Sequence, residues 1–157
     1  MSIDELTALF AKLGAPRPEG WARSQAQGGI NQLHRFLFLR QAWRLVVPDG
    51  SSAWIDEARS MGPKGPGGGL LPALERTLAS GAHADDLTEI VRVMQWKLLF
   101  SFCYLLNDPG ELEPEVAHIA WDLFAVDEQG NPTKTIEALW EDILGTDPTG
   151  REMCPKS

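Results

Sequence analysis

The sequence predicts an all-α fold: one domain over residues 1–157, with six or seven helices packed around a buried central helix at about 86–107. Three observations lead there. Apolar residues recur at helical spacing in segment after segment, most segments end at Gly or Pro, and the stretch from Asp86 to Asn107 is apolar enough to need cover from its neighbours. A chain of 157 residues hides about 68–70% of its unfolded surface on folding, which supports a core without staples.

The elements follow in order. Ser2 and Glu5 have capping-box spacing, and Ile3, Leu6, Leu9, Phe10 and Leu13 form one helical face that stops at Gly14. Residues 15–29 begin with prolines and end with two glycines, so they read as a loop with a helical turn after Pro18, pinned by Trp21. Ile30, Leu33, Phe36, Leu37, Leu39, Trp43 and Val46 make a wide stripe, predicting a core helix over 30–47 that stops at Pro48-Asp49-Gly50. After Ser51 and Ser52, which can cap, Trp54, Ile55, Ala58 and Met61 keep the helical period.

Residues 62–69 hold five glycines and two prolines and read as a mobile loop. Pro72 sits in the first turn of a helix over 70–80, which Gly81 ends. In the central helix, Leu87, Ile90, Val91 and Met94 lie on one side, while Arg92, Gln95 and Lys97 mark a side that meets water. From Leu98 to Leu106 only Ser101 is plainly polar, so that end is expected to be buried all round. Val116, Ile119, Ala120, Leu123 and Phe124 predict a helix opened by Pro114. Ile136, Leu139, Trp140, Ile143 and Leu144 predict a last helix over 135–144, followed by a polar tail at 146–157.

The net charge is -8, and its distribution is uneven. Residues 1–47 hold six Lys/Arg against three Asp/Glu, and residues 48–107 hold five against seven. Residues 108–157 hold three against twelve. So acidic a third excludes a general nucleic-acid surface and suits a basic partner. A membrane span is not expected, because Arg92 and Lys97 interrupt the apolar run. The first residues lack the basic start and long apolar stretch of a secretion signal, and two cysteines make no disulfide framework; the cytoplasm is the expected compartment.

Motifs for chemistry are absent. The glycine run lacks the Gly-Lys-Ser/Thr that ends a phosphate loop, Glu115 and His118 have no second Glu-x-x-His pair, and no Cys/His spacing fits zinc. No cofactor and no metal are therefore expected, and the chain reads as more binder than enzyme. The leading expectation is a non-catalytic protein-binding module, immunity- or antitoxin-like, that covers a basic partner with Glu137, Glu141, Asp142, Asp127 and Glu128. The rival is a small-molecule binder or enzyme. Its pocket would lie between the central helix and 30–47, and His34, Arg35, Arg40, Arg44 and His118 would line it or form an anion patch.

Overall fold

Ser2 caps the first helix reciprocally, its hydroxyl accepting from the Glu5 amide while the Glu5 carboxylate accepts from the Ser2 amide. The computed structural model describes residues 1–60 and 65–156. The elements are α1 (Ile3–Lys12), α2 (Pro18–Gly28), α3 (Gln32–Ala42), a 3-10 turn at Trp43–Leu45, α4 (Ala53–Ser60), α5 (Leu70–Ala79), α6 (Ala84–Leu105), β1 (Phe124–Val126), β2 (Pro132–Thr135), α7 (Leu139–Asp142) and a second 3-10 turn at Leu144–Thr146. The fold is mostly helical, as expected, and the described residues add one small antiparallel hairpin to it. Of the glycine run, residues 62–64 lie outside the described residues, as does Met61 of the expected α4 face, while 65–69 form turns.

Two compact units divide the chain. The first joins Met1–Trp43 to Leu98–Ser157, and the second is Arg44–Lys97. In the first, Leu6, Phe10, Ala15, Ala22 and Phe36 form a buried cluster with Leu13, Trp21 and Leu33 packed on it. The Phe10, Trp21 and Phe36 rings meet at 5.5–6.0 Å between centroids. The loop expected at 15–29 is therefore an eleven-residue helix, α2, because Trp21 and Ala22 give it an apolar side to bury. The same unit ties its two chain pieces with polar bonds: Trp43 Nε1 donates to Ile143 O and Thr146 Oγ1 at 3.0 and 3.1 Å. Within the second piece, Asn107 Nδ2 donates to Ile136 O at 3.1 Å.

The helices expected at 114–126 and 135–144 are replaced by turns, the hairpin and the short α7. The cause is the turn between β1 and β2. Asp127 accepts from the Gln129 and Asn131 amides at 3.0 and 2.8 Å, and Gly130 adopts φ 84°, which folds the chain back on itself. Phe124 then pairs with Thr135 and Val126 with Pro132, with an irregularity between. The expected tail is likewise held. Asp147 is buried and accepts from the Thr149 and Met153 amides at 3.0 and 2.9 Å.

In the second unit Ile55, Ala58 and Leu74 form the buried cluster, with Trp54, Leu78, Ala84 and Leu87 against it. Trp54 Nε1 donates to Thr88 Oγ1 at 2.9 Å. Among the described residues no helix is long and apolar enough to cross a membrane.

Candidate functional site

Helix α6 keeps only part of the polarity its sequence suggests: Lys97 is exposed and Leu87 packs inward as expected, but other positions are exchanged. Thr88 and Arg92 are buried, Arg92 at 4% exposure, and Gln95 is partly buried. Spaced i, i+4, i+7, they form an inward polar line. The Thr88 hydroxyl takes the Trp54 indole, Arg92 Nη1 donates to Val47 O at 2.8 Å, and Gln95 Oε1 accepts from the Val47 amide at 2.7 Å. Arg92 and Gln95 thus satisfy both backbone groups of Val47, which lies outside any helix or strand. With that line turned in, one apolar line turns out: Ile90, Met94, Leu98 and Phe102 are 59%, 61%, 70% and 52% exposed, at i, i+4, i+8 and i+12, and Leu105 continues it, whereas Leu87 and Val91 stay partly buried. This corrects the expectation that the second half of α6 is buried all round; only Cys103 is fully buried there. Burial pushes the Cys103 thiol up to about 11.

The anticipated acidic surface is partly assembled. Glu128, Glu137 and Glu141 are exposed. Asp127 is exposed too, but its carboxylate organises the hairpin turn, and those hydrogen bonds, first those from Asn131, hold it below the usual carboxylate range. Asp142 is not on an outer face. It turns toward the buried Arg35, 2.7 Å from Nη2, and Glu141 lies 3.8 Å from the same nitrogen, while Arg35 also donates to Ala138 O. Desolvation raises the Asp142 carboxyl, with the Arg35 charge opposing it.

The anticipated anion patch is dispersed by these commitments. Arg35 serves the C-terminal segment, Arg40 donates to Leu13 O at 3.2 Å and lies over the Phe36 ring, and His34 bonds Asn31. Arg44 belongs to the second unit, and His118 is exposed in a turn. A cavity of about 490 Å3 in the second unit takes Arg44, Val46 and Val47 from the end of the anticipated 30–47 segment, and Trp54, Leu70, Val91 and Gln95. Another cavity of about 490 Å3 lies in the first unit, between α2, the start of α3, the end of α7 and the chain after it. Among the described residues no three His, Cys, Asp or Glu converge as metal ligands.

No protein-family model matches the chain, and no curated protein or solved structure is detectably similar to it. The function therefore has to be argued from these surfaces. Sequence reasoning missed the outward apolar line because it counted apolar residues rather than asking which line had polar work to do. Thr88, Arg92 and Gln95 carried that signal.

Proposed function

We propose that the protein acts non-catalytically by binding another protein through the outer face of α6, and that the partner is basic with an apolar cleft. The observation that carries this is the line of exposed large apolar side chains, Ile90, Met94, Leu98 and Phe102. Apolar surface left in water forgoes about 25 cal/mol per Å2, and a contiguous line of large side chains on an outer face marks an interaction site. Asp86 and Glu89 are exposed at the start of the same helix, and the chain from 108 onward holds three Lys/Arg against twelve Asp/Glu, which supports a basic partner. Glu128, Glu137 and Glu141 steer its approach, whereas Asp127 and Asp142 have internal partners. An immunity- or antitoxin-like inhibitor working in the cytoplasm fits this reading.

The test is affinity capture from native lysate with the wild type and with the Leu98→Ser/Phe102→Ser variant. A stoichiometric basic protein that the wild type retains at low salt, releases at high salt, and that the variant fails to retain is the expected result. Equal recovery by both forms, or recovery by neither, would remove α6 from the interface. A concentration-dependent dimer abolished in the variant would replace the foreign partner with a second copy.

The cavity of the second unit favours one other reading, a small apolar ligand seated among Val46, Trp54, Leu70 and Val91. A thermal shift with an apolar metabolite that Val91→Trp abolishes would support it.

A further inference from the structure

The cavity of the first unit has a lining of unusual chemistry. Glu141, Asp142 and Glu152 contribute carboxylates, Trp21 an indole ring, Ser24 a hydroxyl, Gln32 an amide and Arg17 the one lining guanidinium. Gly20 and Gly145 form part of its wall; a Cβ at Gly20 would meet nothing within 4 Å, so the wall leaves room there.

Gln32 is the independent sign of a missing occupant. It is 6% exposed, its Nε2 donates to Ser24 Oγ at 2.9 Å, and its Oε1 accepts nothing. A buried carbonyl oxygen without a donor is costly, so a ligand that brings an N–H is favoured there. Asp142 Oδ2 also accepts no hydrogen bond, although Arg35 Nη2 lies 2.7 Å away as a charge contact. Arg17 is tied to Glu152 at 3.2 Å, which leaves Glu141 and Asp142, backed by Arg35, facing the space. The Trp21 indole is fixed by its own hydrogen bond to Pro16 O at 3.0 Å and by stacking on Phe10, so its ring is a preset wall. Oriented acceptors beside an aromatic ring are the elements that recognise organic cations.

We propose that this cavity binds an ammonium or guanidinium group, with Gln32 Oε1 and the Glu141 and Asp142 carboxylates accepting its N–H bonds and Trp21 against its apolar stem. The group comes from one of two sources: a free alkyl amine, or a Lys or Arg side chain of a bound polypeptide. The site shares no residue with the outer face of α6 and only Glu141 with the groups that steer a partner, so its success or failure leaves the α6 reading intact.

The experiment is an amide and indole NMR titration of the full chain with agmatine, with a capped Gly-Gly-Arg-Gly-Gly peptide and, as the opposite charge, with inorganic phosphate. Saturable shifts from agmatine or the peptide, centred on the Trp21 indole, the Gln32 side-chain amide and the Gly20 and Gly145 amides, are expected. Tighter binding of the peptide assigns a side-chain source, and tighter binding of agmatine assigns a free amine. Glu141→Gln should weaken binding by about tenfold, the loss of one charge-assisted hydrogen bond. Gln32→Glu should tighten it, a gain that a purely structural Gln32 would not produce. Saturation by phosphate with no response to either cation, or cation shifts unchanged in both variants, would overturn the assignment.

Discussion

The α1–α2–α3 cluster and helix α6 use similar residues in opposite ways. Phe10 and Phe36 are buried in a cluster of rings, whereas Phe102, on an equally apolar helix, is half exposed. The difference lies in which side of the helix carries the polar bonds. Helices α1 to α3 meet through the Phe10, Trp21 and Phe36 rings, and their polar bonds, such as that from the Leu33 amide to Gln25 Oε1 at 2.7 Å, lie beside this apolar contact. Helix α6 has to serve the Val47 amide and carbonyl, so it turns its polar line inward. Hydrophobicity in a helix thus tells how much cover it wants, and unpaired neighbouring backbone decides which side is covered within the chain.

The largest expected effect lies in the ring cluster. Phe10→Ala should cost about 3–5 kcal/mol in urea unfolding, because its fully buried ring leaves a cavity between α2 and α3. A cost near that of a surface change would erase the contrast between the two regions. Next comes the inward polar line. Arg92→Leu enlarges the apolar surface of α6, yet it should destabilise by about 1–3 kcal/mol, since Val47 O loses its donor. Stabilisation instead would mean that the apolar side of α6 is the one that packs.

On the outer face, Met94→Ser and Leu98→Ser should each change stability by less than about 0.5 kcal/mol. Their effect belongs to partner capture. The smallest test changes no stability at all. With its thiol pushed up to about 11, Cys103 holds roughly one thiolate in a thousand at pH 8, so a thiol reagent should label the exposed Cys154 quickly and Cys103 only on denaturation. Rapid labelling of both would show that α6 is open on every side.

Much of the helical part was legible in the sequence. The Ser2 cap, the Pro48 and Gly81 punctuation and the apolar spacing locate α1, α4, α5 and α6 within a few residues. The region 114–144 was not legible as folded, because Val116, Ile119, Leu123 and Ile136 keep helical spacing by coincidence. What decides it is the Asp127-to-Asn131 turn, whose side-chain bonds favour a hairpin over a helix stop. Of the anticipated site residues, Glu128, Glu137 and Glu141 stand exposed. Arg35 and Asp142 found each other across a hundred residues, which no local pattern encodes. The Gln32 cavity was illegible for the same reason, since its lining comes from three separate stretches.

The hydrogen bonds from Trp43 to Ile143 and Thr146 span 100 and 103 positions of the chain. On a ribosome adding about 5–20 residues per second, Trp43 emerges roughly 5–20 s before the groups that receive its indole. Leu39 and Trp43 then wait uncovered for the length of that delay, while Arg44–Lys97 is made and can close on its own cluster. Synthesis slowed anywhere between residues 44 and 146 is expected to lengthen this exposure and to lower the yield of native protein.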